Sequence, residues 1–122
     1  MKLSYFLLIL NSSLIIFFSI MDVNFLIKYK LYRYDFYSHF IMHMIFSFIL
    51  MRIIYKSKNR LLIFILLLFP FTTEYIQYFY PTRSVDMNDL ANNYYGLVFG
   101  IILFIIFNYA KKSKYIKSRN HR

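Results

Sequence analysis

Four apolar runs set the limits on what this chain can fold into. They are roughly Leu3–Met21, Phe36–Ile54, Leu61–Tyr80 and Leu90–Tyr109. Each has about 20 residues, the length a helix needs to cross the ~30 Å hydrocarbon layer of a bilayer. None alternates at period two, so a closed barrel is excluded and spanning helices remain. The composition agrees, at 60% hydrophobic and 23% aromatic over 122 residues. That is too apolar for a soluble domain of this size. The fold class expected is an all-α, polytopic membrane protein, a four-helix transmembrane bundle. One membrane domain spans 1–110, and a basic tail spans 111–122. No small-x-small cleavage site closes the first run, so it is read as a retained span.

Charge orients the spans. Lys2, the second connection with Arg52, and the tail hold eleven basic residues, against four at the other ends: Lys28, Lys30, Arg33 and Arg83. The positive-inside rule then predicts both termini in the cytoplasm. The tail, which includes Arg122, reads as a stop-transfer anchor that also attracts anionic lipid. No fold or motif of a nucleic-acid binder accompanies it. The stretch Ile27–Leu31 alternates apolar and basic residues and is either an interfacial segment or a plain loop. The chain has no cysteine. Disulfides, thiolate metal sites, cysteine nucleophiles and lipoprotein acylation are therefore out.

Against this background a polar pattern stands out. Glu74 and Gln77 are followed by Arg83, Asp86, Asp89, Asn93, Gly96 and Gly100, in the form E-x-x-Q, five residues, then R-x-x-D-x-x-D-x-x-x-N-x-x-G-x-x-x-G. The chain has formal charge +10 and five acidic residues, and three of the five lie here, including its one glutamate. Glu74 sits inside an apolar run, one turn after Pro70. Ionisable groups at such depth are costly and mark function by default. Pro70 frees the carbonyl of Leu66, and Thr72 or Thr73 is placed to meet it. The cation candidates for Glu74 are Arg83 and His39.

Each residue also has a plainer reading. Asp35, His39 and His43 share one helical face at i, i+4, i+8. They form either a proton or ligand line or a set of neutral interhelical hydrogen bonds. His43 reads as the latter. Asp86 or Asn88 suits the start of the fourth helix as cap, and Asp89 suits it as first-turn acid or as a second cap candidate. Arg83 has a fork of donors for a carboxylate or a phosphate, or is an exposed loop residue. Gly96 and Gly100 are the chain's two glycines and predict a close helix approach, to a neighbour in the same chain or in a second copy. His39 and His43 have ligand spacing, but spacing alone does not make a metal site, and no metal or cofactor is expected.

The pattern from Glu74 to Gly100 resembles the VanZ-like family of small bacterial membrane proteins. Asp35, His39 and Phe40 match a second, upstream part of the family pattern. Phe36 stands where the family usually has lysine, and His43 where it usually has tyrosine. The resemblance implies a part in the cell envelope and lowered susceptibility to lipid-bearing glycopeptides such as teicoplanin.

Two functional classes stay open from the residues. In the first, an outward-facing polar site of Asp35, His39, Glu74, Gln77, Arg83, Asp86, Asp89 and Asn93 engages a membrane lipid, a lipid-linked cell-wall component or a lipophilic ligand. In the second, a membrane enzyme uses Glu74 or Asp89 as base, His39 as proton carrier and Arg83 on a phosphate. An ion path finds too few polar groups in the inner halves of the spans.

Overall fold

The computed structural model describes residues 1–119. Arg122, counted with the tail, lies outside them, as does the side chain of Arg33. The described residues form five helices: α1 (Lys2–Ile20), α2 (Val23–Lys28), α3 (Tyr32–Ser57), α4 (Leu62–Gln77) and α5 (Met87–Arg119). The protein is an all-α membrane bundle. Helices α1, α3 and α5 are long and apolar enough to cross a bilayer.

Helix α4 is shorter than the apolar run that contains it. Its 16 residues reach about 24 Å. The run continues as a tighter turn, with the N–H groups of Tyr78, Phe79 and Tyr80 donating to the carbonyls three residues earlier at 3.0–3.2 Å. At about 2 Å rise per residue this adds roughly 6 Å, which restores a membrane's thickness. Pro81 explains the change, since the residue before a proline is pushed out of helical geometry. At the other end of the bundle, α5 runs without a break into the basic tail as far as Arg119.

The segment after α1 is a small helix rather than an alternating strip. Asp22 caps α2 by accepting from the Asn24 N–H at 2.8 Å. The helix ends with Leu31 N–H donating to Leu26 O (2.8 Å) and Lys30 N–H donating to Ile27 O (3.1 Å). This is the pattern of a left-handed helix stop. Lys30 fills the left-handed position (φ 57°) that usually takes glycine.

The tightest seam joins α3 and α5. A Cβ on Gly96 would run into the Phe40 carbonyl, and one on Gly100 would run into the Met44 carbonyl and Ser47 Oγ. One turn above, Asn92 Nδ2 donates to Phe36 O at 2.6 Å. Residues 36, 40 and 44 thus lie beside 92, 96 and 100, and both series rise by four. The two helices are parallel, their backbones drawn together by small residues. The glycine pair therefore packs within its own chain.

Helix α1 runs antiparallel to α3. Asn11 Nδ2 donates to Met42 O at 3.1 Å, while the end of α1 lies by Asp35. Ile15, Phe46, Leu50, Leu66 and Leu97 form the core, and the ring of Phe46 stacks on Phe69 at 4.3 Å between centroids. Large apolar side chains such as Leu3, Phe64, Leu68 and Ile105 stay exposed around the outside, as expected of helices solvated by lipid.

The proline in α4 is accommodated differently from the sequence expectation. Neither threonine serves Leu66. Thr72 Oγ1 donates to Leu68 O (2.9 Å) and Thr73 Oγ1 to Pro70 O (2.9 Å). Tyr94 of α5 donates its hydroxyl to the neighbouring carbonyl, Leu67 O, at 2.8 Å, which ties α5 to α4 beside the proline.

Candidate functional site

Helix direction collects the polar residues. The end of α1, the start of α3, the end of α4 and the start of α5 meet at one end of the bundle. The connection between α4 and α5 closes it.

Arg83 is the centre of this end. Its side chain is 5% exposed. Nη1 donates to Asp35 Oδ2 at 2.9 Å, Nε to Met21 O at 2.7 Å and Nη2 to Phe18 O at 2.9 Å. The two carbonyls belong to the last turn of α1 and to its C-cap, Met21, where intrahelical donors run out and the negative end of the helix dipole lies. A planar fork can meet two carbonyls and a carboxylate at once, which an ammonium cannot. Arg83 thus ties α1 and α3 to the α4–α5 connection. It is neither an exposed loop residue nor the partner of Glu74.

Glu74 is 1% exposed. Its Oε1 accepts from the backbone N–H of Asp86 at 2.9 Å, and Oε2 meets no protein donor. The expected Glu74–Arg83 pair is therefore absent. The guanidinium turns away because two acceptors at the end of α1 and one on α3 await it. Asp86 caps α5, since its Oδ1 accepts from the Asn88 N–H at 2.7 Å and its carbonyl takes the first helical bond, from Leu90. Glu74 holds that cap from below and so fixes where α5 begins.

His39 and His43 separate in role. His43 is fully buried and its Nδ1 lies 2.8 Å from His39 O. A carbonyl only accepts, so Nδ1 carries the proton. Nε2 then lies 3.5 Å from the Thr73 hydroxyl, whose one proton goes to Pro70 O, so the two are in polar contact without a donated proton between them. The short bond of His43 is therefore to its own helix, and across to α4 it has only the contact with Thr73. His39 differs, because its Nε2 sits 3.8 Å from Asp35 Oδ1, beyond hydrogen-bond reach. Among the described residues no three His, Asp or Glu side chains gather as a metal set.

Gln77 and Asn93 complete the interior. Gln77 is 1% exposed and Asn93 not at all. Gln77 Nε2 and both polar atoms of Asn93 meet no protein partner. With His39 Nε2 and Glu74 Oε2, four buried side chains from α3, α4 and α5 carry unmet polar atoms. Each such atom costs about 1–3 kcal/mol in a folded interior. At the same end opens a cleft of about 590 Å³, lined by Asp35, Asp86, Asp89, Asn92 and Tyr95 among others. None of the four lines it, but Asp35 lies 3.8 Å from His39 and the Asp86 N–H donates to Glu74. Asp89 is half-buried at its edge, in the first turn of α5. Seven of the eight expected site residues other than the glycines thus lie in or beside one assembly. The eighth, Arg83, joins them through Asp35 and holds the end of α1 as well. Asn92 was not anticipated as a contact residue. Its position four before Gly96 on the same stripe was the available signal.

A model of the VanZ/LLP1 family matches residues 3–108. The chain belongs to the VanZ/LLP1 family. The match covers every helix from α1 to the apolar part of α5, and so the whole polar end of this VanZ/LLP1 chain. Comparison with curated proteins and with solved structures gave no match.

Proposed function

We propose that this VanZ/LLP1 chain is a multi-pass protein of the bacterial cytoplasmic membrane, with both termini inside and the polar end outward. There it engages the headgroup of a lipid or lipid-linked cell-wall component without transforming it. As the family resemblance implies, the outcome is lowered susceptibility to glycopeptides such as teicoplanin. The observation that carries this reading is the set of unmet polar atoms on His39, Glu74, Gln77 and Asn93, buried behind Asp35 and Asp86, which line an open cleft. A ligand rich in hydroxyls, amides or phosphate oxygens supplies the partners the protein withholds. Binding is favoured over catalysis because Glu74, a candidate base, already accepts from the Asp86 N–H and holds the start of α5. The enzymatic alternative keeps one support, the approach of His39 to Asp35 at 3.8 Å.

Glu74→Gln tests the function. The amide still accepts from the Asp86 N–H and keeps the shape, but the charge is lost. The expected result is normal abundance in the membrane with loss of the glycopeptide phenotype. A phenotype that falls only in proportion to protein level would reduce Glu74 to scaffold.

Orientation has its own check. Ser84 and Ser57 are exposed at opposite ends of the bundle, and the absence of cysteine gives a clean background. An impermeant maleimide on intact cells should label Ser84→Cys and spare Ser57→Cys. Labelling of the second would turn the polar end inward.

A further inference from the structure

We propose that the groove between the basic ends of α3 and α5 is a binding site for the headgroup of an anionic glycerophospholipid. Its volume is about 550 Å³. Arg52 and Lys56 of α3 and Lys111 and Lys112 of α5 line it, above a floor that includes Phe48 and Phe104.

The register explains how four cations come together. The steps that place Phe40 by Gly96 and Met44 by Gly100 continue to Phe48 by Phe104, whose ring centroids are 6.1 Å apart. One turn further the same register sets Arg52 by Asn108, and two turns further Lys56 by Lys112. Like charges so placed repel. The compensating acids are all elsewhere: Asp22, Asp35, Glu74, Asp86 and Asp89 lie toward the opposite end. The described ion pairs involve Asp35 alone. For α3 the helix dipole offsets part of the repulsion, since Lys56 lies in its last turn. For α5 it does not, because that helix continues two turns past Lys112 to Arg119. An anion between the helices removes the conflict.

The floor decides which anion. Phe104 is 5% exposed and its ring is approached edge-on by Phe48 and by Tyr55. Directly below the cations the lining is aromatic and then lipid-facing. A free phosphate uses the upper half alone, while a phospholipid lays its headgroup among the cations and its chains along the rings. Basic pockets between spanning helices hold lipid headgroups on this principle. The site is separate from the polar end, and the orientation proposed above assigns it to the cytoplasmic leaflet.

Native mass spectrometry of the full chain released from detergent tests this, with phosphatidylglycerol and phosphatidylcholine of matched chains as probes. Wild-type protein should retain the anionic lipid preferentially. Arg52→Gln combined with Lys112→Gln should weaken that retention roughly 30-fold, at the usual effect of two interfacial cations. Lys2→Gln combined with Lys114→Gln removes equal charge outside the groove and should leave retention unchanged. Equal loss in both pairs would reduce the effect to diffuse attraction and overturn the site, as would no loss in the groove pair. Displacement of the lipid by inorganic phosphate would overturn its assignment to a lipid.

Discussion

Arg83→Ala is expected to unfold this end of the bundle. It leaves the Asp35 carboxylate, 9% exposed, without its cation, and leaves two carbonyls of α1 without donors. Breaking a buried pair by removing one partner costs roughly 3–5 kcal/mol. Arg83→Lys should recover part of this, since an ammonium reaches Asp35 but cannot also meet Phe18 and Met21. The partner is testable by double-mutant cycles on unfolding in mixed micelles. Arg83 should couple to Asp35 by about 1–3 kcal/mol and to Glu74 far less. Equal coupling to Glu74 would restore the pairing that the spacing of the sequence suggested.

Gly100→Leu is expected to separate α5 from α3. The added Cβ meets the Met44 carbonyl, which is backbone and cannot turn aside, as well as the Ser47 hydroxyl, which can. Ordinary overpacking costs about 1–3 kcal/mol, and a backbone overlap along the main seam should exceed that range. Pairing the change with Ser47→Ala should therefore recover little. Val98→Leu and Phe99→Leu, on exposed positions of the same turn, serve as controls and should be near neutral. Membrane abundance and thermal unfolding report the difference. Wild-type behaviour of Gly100→Leu would mean that α5 does not pack on α3 through this stripe.

These two residues show what could be read from the sequence and what could not. The apolar runs and the glycine spacing are local or periodic patterns, and they led to the helices and to the close seam. The Asp86 cap was legible for the same reason, since it is a contact over two residues. The partner of Arg83 was not. Its acceptors are Asp35, 48 residues away, and the carbonyls of Phe18 and Met21, 65 and 62 away. Backbone carbonyls at a helix end carry no sequence signature. Without them, the nearest carboxylate in the pattern looks like the answer. The bond from Tyr94 to Leu67 O was hidden likewise, because it depends on which helix lies alongside. The length of α4 was misjudged because an apolar run continues where the helix has already tightened before Pro81. At the site, the pattern supplied the residues, but only the packing showed which of their atoms the protein leaves unmet.

Asn93 offers the most direct test of a site kept for a ligand. Its amide is fully buried with neither polar atom paired. Asn93→Leu has similar size and removes both. If these atoms await a ligand, the free protein tolerates them at a cost of about 1–3 kcal/mol. Stability without ligand should then rise while binding falls, the trade-off usual at functional sites. The measurement is thermal unfolding and native mass spectrometry on the same samples, with a polyprenyl-linked cell-wall precursor as the added probe. The expected result is a more stable Asn93→Leu protein that no longer retains the precursor held by the wild type. A less stable variant that retains it as well as the wild type would contradict a ligand site at this end of the bundle.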